Sequence, residues 1–162
     1  MKILFIKPPN HGFYHEIVRY YPVGLAYLAA ACRENGFEVK IFDSLVYTED
    51  NCILSDDKLS EGQIYKKNHH PSWNNIISWG ASYKRIEKKI REEKPDVVSI
   101  TAMHSPMYDT AYKIAEIAKE INFNIKVIMG GSHPSIAPEH VLRRSQVAVS
   151  YTHLTLPTNS LV

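Results

Sequence analysis

Residues 97–131 read VVSITAMHSPMYDTAYKIAEIAKEINFNIKVIMGG, and this stretch decides the fold. It opens with Val97–Thr101, a short apolar run typical of a strand buried on both faces, and a second such run follows at Ile125–Met129. The apolar residues between them recur at helical spacing: Tyr108, Ala111, Ile114, Ala115, Ala118 and Ile121. A helix between two buried strands is typical of parallel neighbours in one sheet, because a parallel pair needs a crossover connection.

The same alternation of strand and helix is present upstream. Ile3–Ile6 predicts a first buried strand, ended by two prolines, and Val39–Asp43 predicts a second. Between them the pattern predicts an amphipathic helix that starts at Pro22 and is capped by Asn35-Gly36. The apolar stripe of this helix contains Leu25, Leu28, Ala29 and Cys32.

Residues 44–82 interrupt the alternation. They are polar and rich in Asn, Ser and Asp, which indicates a long insertion with one helical turn. The next helix is expected to begin at Ser82, its N-cap, with Ile86 and Ile90 on the buried face. This helix is expected to end before Lys94-Pro95.

Together these elements predict an α/β fold with a flavodoxin-like, or Rossmann-like, parallel sheet of five strands in the order 2-1-3-4-5 and helices on both faces. A short helix near Pro138–Glu139 and a fifth strand at Val147–Val149 complete it. We expect one domain, residues 1–149, with 44–82 as its insertion. Residues 150–162, SYTHLTLPTNSLV, show neither the helical nor the strand period and resemble a translated cloning adapter. We expect a non-native or disordered tail there, produced by truncation or read-through.

Composition limits the function classes. Nineteen basic and seventeen acidic residues leave a formal charge of +2, too little for a nucleic-acid-binding surface. No apolar run approaches the roughly 20 residues of a membrane span, and the start MKILFIKPP lacks the features of a signal peptide. We therefore expect a cytoplasmic protein without nucleic-acid or membrane partners. Cys32 and Cys52, the two cysteines, provide no disulfide framework and no thiolate cluster.

In a sheet of this order, ligands bind outside the carboxyl ends of the strands, at the switch point between the first and third strands. The loops at that end are residues 7–22, 101–107 and 130–138. Thr101 and Ser105 place two hydroxyls four residues apart, which suits a partly polar ligand. Taken alone, they are a strand end and a helix cap with Pro106 at the first helical position. Gly130 and Gly131 permit close approach to the backbone, although alone they indicate only a tight turn.

Other chemistries have less support. His11 and His15 are four residues apart, a spacing that suits a metal only on a helix, and Gly12 argues against one. His104 and His133 follow neighbouring strands without a cluster of thiolates or carboxylates to complete a metal site. The hydrolase motif G-x-S-x-G is absent, and two prolines stand where a dinucleotide-binding G-x-G-x-x-G would begin. We predict no catalytic residue and no protein ligand to a metal.

Three stretches carry a recognisable combination of motifs: YPVGLAYLAAACRENGFEVKIFD (21–43), KPDVVSITAMHSPMYDTAYKIAEIAKE (94–120) and IMGGSHPSIAPEHVL (128–142). With their P-x-G-L-x-Y-L-A and G-G-x-H-P-x-x-x-P-E motifs, they resemble the N-terminal cobalamin-binding domain of cobalamin-dependent radical SAM proteins. The resemblance implies that vitamin B12 binds with its corrin ring over the carboxyl ends of the strands. The nucleotide tail would then insert beside the sheet.

The resemblance also implies which residues contact the cofactor. As in the related methionine synthase module, Thr101 and Ser105 would hydrogen-bond the buried nucleotide, and Gly130 and Gly131 would leave room for the tail. The cofactor-binding residues implied are Pro9, Tyr21, Gly24, Thr101, Met103, His104, Ser105, Gly130, Gly131, Ser132 and His133.

The sequence departs from the methionine synthase type at the lower cobalt ligand. In that type a D-x-H-x-x-G motif supplies a histidine, but aligning its glycine on Gly24 places Arg19 at the aspartate and Tyr21 at the histidine. The resemblance to the radical SAM relatives therefore implies cobalamin bound base-off, with its own base displaced and no protein histidine on cobalt.

The second half of the resembling proteins carries a C-x-x-x-C-x-x-C motif that holds a [4Fe–4S] cluster and cleaves S-adenosylmethionine, and this chain lacks that motif. We expect a fragment of a methyltransferase or related radical enzyme, which binds cobalamin while the radical SAM domain is missing from this chain.

Two alternatives stay open. One is the N-terminal half of a two-domain glycosyltransferase, which prefers a glycine-rich first loop. The other is a cofactor-free flavodoxin-like signalling module, which needs clustered acidic residues after the first strand.

Overall fold

The structure, a computed structural model, describes residues 1–12, 21–54, 76–103, 107–143 and, as backbone, 149–151. The strands are β1 (Lys2–Lys7), β2 (Asn10–Gly12), β3 (Glu38–Asp43), β4 (Cys52–Ile53), β5 (Ile77–Trp79), β6 (Val97–Thr101), β7 (Lys126–Gly130) and β8 (Val149–Tyr151). The helices are α1 (Val23–Glu34), α2 (Tyr83–Glu93), α3 (Tyr108–Ile121), α4 (Ser132–Ile136) and α5 (Pro138–Leu142), and two 3-10 turns cover Ser44–Val46 and Thr48–Asp50.

Five strands form a parallel sheet in the spatial order β3-β1-β6-β7-β8. The first four strands and the helices between them confirm the predicted α/β architecture with a parallel sheet. The register of β6 and β7 places Thr101 directly opposite Gly130, so both residues lie at the carboxyl edge. β8 pairs with β7 as far as Tyr151, two residues beyond the boundary predicted at residue 149.

Different helices cover the two faces of the sheet. Alternate residues of β1 point to opposite faces, as the twofold period of a strand requires. Leu4 and Ile6 belong to the larger core, which α2 and α3 cover with the fully buried Ile86 among others. Ile3 and Phe5 belong to a smaller core under α1. Each fully buried side chain of this size stabilises the fold by about 1.5–3 kcal/mol.

The helix ends follow the predicted capping residues. Ser82 Oγ accepts a hydrogen bond from the backbone N–H of Arg85 (3.4 Å), which confirms the N-cap of α2. Lys94 follows α2 with a φ of +47°, and Gly36 follows α1 with a φ of +80°. The left-handed φ at Gly36 confirms the glycine cap predicted for α1.

One expected loop contains a helix. Residues 130–138 were expected to form a loop, yet α4 begins at Ser132, directly after the turn at Gly131. Pro134 is compatible with this helix because the first turn has no internal partner for its N–H groups. α3 begins at Tyr108 with Met107 as its N-cap, and Ser105, the cap that the sequence offered, lies outside the described residues.

The described parts of the insertion contain strands that the sequence did not predict. β5 pairs with both β2 and β4 in an antiparallel sheet of order β2-β5-β4, and two 3-10 turns replace the single helical turn expected. Strands this short show no alternating pattern, so only their pairing partners reveal them. The start and end of the insertion are held together, because Asp50 accepts hydrogen bonds from Ser82 N (2.8 Å) and Arg85 Nε (2.8 Å).

Candidate cofactor-binding site

The carboxyl ends of β1, β6 and β7 lie at one edge of the parallel sheet. Pro9 follows β1, Thr101 ends β6 and Gly130 ends β7. Because β3 and β6 lie on opposite sides of β1, the winding of the chain reverses between β1 and β6. This reversal is the switch point at which open α/β sheets bind their ligands.

Contacts of its first residues attach α4 to the loop after β6. The backbone N–H of His133 donates to the Ala102 carbonyl (3.1 Å), and Ser132 Oγ donates to the Met103 carbonyl. Gly131 has a φ of +117°, and a Cβ there would lie 2.7 Å from the Ala102 carbonyl oxygen. The close approach that the sequence assigned to a cofactor tail is, in this structure, an approach of the main chain of Ala102.

Four rings, which we call the ring cluster, join α3, α4 and α5. His133 stacks on Tyr108, with ring centroids 5.0 Å apart and planes at 17°. His140 meets His133 edge-on at 5.7 Å and Tyr108 edge-on at 5.8 Å. Tyr112 contacts Tyr108 and His140 at 5.9 and 6.0 Å. The cluster therefore fixes the position of α4 relative to the start of α3.

His133 is the polar residue buried in this cluster. Its side chain is 8% exposed, and its Nε2 is fully buried without a hydrogen-bond partner among the described residues. Burial lowers the pKa of His133, the charge of His140 lowers it further, and Asp109 acts in the opposite direction. The imidazole is therefore neutral at pH 7. Buried polar atoms normally have a partner, so Nε2 is a hydrogen-bonding group that no described residue satisfies.

The sequence pattern of the B12 binding domain family matches residues 68–157, more than half of the chain. This chain belongs to the B12-binding domain family. The matched residues include the carboxyl ends of β6 and β7 and the whole ring cluster. The predicted resemblance to a cobalamin-binding domain is confirmed.

Curated relatives match this chain over a small part of their own length. A protein from Pyrococcus horikoshii named as an uncharacterised methyltransferase is 37% identical over 88% of this chain and 24% of its own length. The cytidylyl-2-hydroxyethylphosphonate methyltransferase of Streptomyces wedmorensis is 28% identical over 87% of this chain and 24% of its own. The anaerobic magnesium-protoporphyrin IX monomethyl ester cyclase of Rubrivivax gelatinosus is 30% identical over 90% of this chain and 20% of its own. The chain thus spans a quarter or less of each relative.

The structure of this B12-binding domain brings some of the predicted site residues together. Thr101, Met103 and Gly130–His133 form one group, joined by the register of β6 and β7 and by the contacts of α4. Tyr21 and Gly24 lie at the start of α1, which follows the carboxyl end of β1, and Tyr21 is 89% exposed. His104, Ser105, His15 and Arg19 lie outside the described residues.

Sequence reasoning missed a buried ion pair at the same edge. Lys7, the last residue of β1, is 2% exposed, and its Nζ lies 3.3 Å from Asp43 Oδ2 at the end of β3. Asp43 also accepts a hydrogen bond from the backbone of Leu45 (3.0 Å). A lysine directly after an apolar strand was the available signal, but its partner follows only from the pairing of β1 with β3.

The histidine outside the ring cluster that the structure describes in detail is His11 in β2. Its ring meets Tyr83 edge-on at 6.3 Å, and its Nε2 is buried without a partner among the described residues. Burial lowers the pKa of His11 to about 4, so its imidazole is neutral. Within the described residues, no group of three or more His, Cys, Asp or Glu could hold a metal ion, and no helix is long and apolar enough to span a membrane.

Proposed function

We propose that this chain is the cobalamin-binding module of a longer methyltransferase-like enzyme. The observation that carries the proposal is the match to the B12 binding domain family over β6, β7 and the helices that follow β7. The flavodoxin-like strand order 2-1-3-4-5 is part of the proposal, and the pairing of β8 with β7 supports it. Family membership favours cobalamin over the two alternatives, a glycosyltransferase half and a cofactor-free signalling module.

The residues at this edge suit a large ligand with a polar tail. The Thr101 hydroxyl and the buried Nε2 of His133 are hydrogen-bonding groups for the nucleotide, and Gly130, opposite Thr101, adds no side chain. Gly131 acts indirectly, because its missing Cβ allows α4 to pack on Ala102. The proposed cofactor contacts are Pro9, Tyr21, Gly24, Thr101, Met103, Gly130, Ser132 and His133, together with His104 and Ser105 outside the described residues, whereas Gly131 belongs to the site only through this packing.

We propose that cobalamin binds base-off without a histidine from this chain on cobalt. Tyr21 occupies the position where the methionine synthase type has its ligand, and a phenol is a poor substitute for imidazole at cobalt. His11 packs against Tyr83 in the small antiparallel sheet, with its Nε2 buried, which supports its exclusion from the cobalt. Bound cobalamin would supply organometallic chemistry that no side chain provides.

The whole enzyme is proposed to contain a radical SAM domain with a [4Fe–4S] cluster and S-adenosylmethionine. Two of the relatives are named as methyltransferases, and each relative is at least four times as long as the matched segment. The chain itself has two cysteines, too few to hold such a cluster through three thiolates. The chemistry on a substrate would therefore need residues from the rest of the enzyme.

Hydroxocobalamin binding tests the proposal directly. The purified chain is mixed with hydroxocobalamin, free cofactor is removed by gel filtration, and the visible spectrum is recorded. We expect about one cobalamin retained per chain. Thr101→Val keeps the shape of the side chain but removes the hydroxyl, and we expect binding about tenfold weaker. Thr48→Val, in an exposed 3-10 turn, is the matched control. A wild-type chain that leaves the column without cobalamin would contradict the proposal.

A further inference from the structure

The neighbours of His133 suggest how its unpaired nitrogen is controlled. We propose that Tyr108 and His140 are positioning residues, which hold the His133 imidazole neutral and in one orientation so that Nε2 hydrogen-bonds a polar group of the ligand. This inference rests on the proposed function, because the ligand in question is cobalamin. It adds two residues, Tyr108 and His140, that neither the motifs nor the family match assign to the site.

The orientation of His133 is fixed from two directions. Its ring stacks on Tyr108 with the planes at 17°, so rotation of the ring would lose this contact. Its backbone N–H donates a hydrogen bond to the Ala102 carbonyl, which fixes the backbone from which the side chain extends. Aromatic contacts of this kind contribute beyond the area they bury. Nε2 is thus a preorganised polar atom, and a ligand that supplies its partner binds more tightly than one that does not.

The charge state of His133 is set by its neighbours as well as by burial. Burial is the main cause of its lowered pKa, followed by the charge of His140 on α5, whereas Asp109 in the first turn of α3 raises it. His140 itself is exposed. His140 and Asp109 therefore act on His133 in opposite directions.

The remaining ionisable groups on the adjacent elements are few among the described residues. On α5, the exposed Glu139 lies 3.9 Å from Arg143 and faces solvent. On α3, Tyr108 and Tyr112 contribute phenols to the ring cluster. On β8, which contacts α4, Tyr151 pairs through its backbone with Gly130. None of these changes the expectation that His133 loses its neutral form only below its ordinary pKa of 6.5.

The sign of the pH effect follows from this lowered pKa. In the proposed complex the neutral ring accepts a hydrogen bond at Nε2, so affinity is constant above pH 6.5 and falls as the pH drops through the lowered value. His140→Gln removes a nearby charge that lowers the pKa of His133, so the fall moves to higher pH. Asp109→Asn removes the charge that raises it, so the fall moves to lower pH.

The experiment uses the full chain and two independent measurements. The dissociation constant of methylcobalamin is measured between pH 5 and 7.5, and the His133 imidazole is titrated by NMR in the same chain without ligand. We expect both midpoints to shift upward in His140→Gln and downward in Asp109→Asn. Tyr108→Leu, which removes the stack, weakens binding about tenfold, whereas Tyr108→Phe keeps the stack and stays within about twofold of wild type.

The outcomes separate the two proposals. If the chain retains no methylcobalamin at pH 7.5, the proposed function fails, and the NMR titration still reports whether His140 and Asp109 control His133. If cobalamin binds but its pH profile is the same in wild type, His140→Gln and Asp109→Asn, the positioning role is wrong while the proposed function stands. Equal affinities of Tyr108→Leu and Tyr108→Phe would also overturn the positioning role.

Discussion

At the scale of single residues, Gly131 determines how β7 is connected to α4. Its φ of +117° is a conformation that side-chain-bearing residues rarely adopt. Its position beside the Ala102 carbonyl also leaves no room for a Cβ. The residue is therefore required by the protein's own packing, whatever ligand binds at the edge of the sheet.

Gly131→Ala is expected to destabilise the chain. The backbone strain alone costs about 1–3 kcal/mol, and the contact 2.7 Å from the Ala102 oxygen adds to it. Thermal unfolding followed by circular dichroism measures the effect as a lower midpoint. Gly24→Ala is the matched control, because a Cβ there meets nothing within 4 Å and alanine in a helix is favoured by about 0.5–1 kcal/mol. A Gly131→Ala midpoint equal to wild type would contradict the packing argument.

At the scale of elements, ion pairs at both ends attach α2 to the rest of the domain. At its start, Arg85 pairs with Asp50 of the insertion (2.8 Å), and this contact lowers the pKa of Asp50. At its end, Glu93 lies 2.7 Å from Lys2 Nζ, which connects the helix to β1. Glu93 also lies 2.6 Å from Lys89 Nζ, one turn earlier in α2. These carboxylates act only while they are ionised.

The stabilising effect of Glu93 should depend on pH. Hydrogen bonds from Lys2 and then Lys89 lower its pKa from 4.5 to about 2. Its contribution is therefore fully present above pH 4.5 and is lost as the pH falls through about 2. We expect Glu93→Gln to melt below wild type at pH 6, with a difference that shrinks on acidification. Glu92→Gln is the control, since Glu92 makes a longer pair with Lys88 (3.8 Å). A difference that stays constant down to pH 3 would contradict this assignment.

At the scale of the whole molecule, the site lies where separate parts of the chain meet. The parallel sheet brings the ends of β1, β6 and β7 to one edge, and the ring cluster joins α3 to α4 and α5. The insertion adds a small antiparallel sheet to the segment that follows β1. His11 lies in that sheet, packed on Tyr83, which bears on how cobalt would be coordinated.

The EPR spectrum of the cob(II)alamin complex tests the proposed coordination. If the cofactor is bound base-off without a protein histidine, the cobalt signal shows no splitting from a nitrogen ligand. His11→Ala should leave the spectrum unchanged, because His11 packs on Tyr83 in the proposed state. A nitrogen splitting in the wild-type complex would contradict the base-off proposal, and its loss in His11→Ala would identify His11 as the ligand.

The strands and long helices were predictable because each is encoded by a local pattern. Residues 97–131 predicted β6, α3 and β7, and the caps at Ser82 and Gly36 were readable from residue type alone. The short elements were not. The start of α4 at Ser132 depends on contacts with the loop after β6, and β4 is too short to show an alternating pattern.

The sequence by itself determined the α/β class and the membership in a B12-binding family, because buried strands, helical stripes and loop motifs are patterns of residues close together in the chain. Only the tertiary structure decided which groups meet at that edge. It placed Ala102 against Gly131, Tyr108 and His140 around His133, and Lys7 beside Asp43. These contacts join residues far apart in the chain, and their geometry depends on how sheet and helices pack.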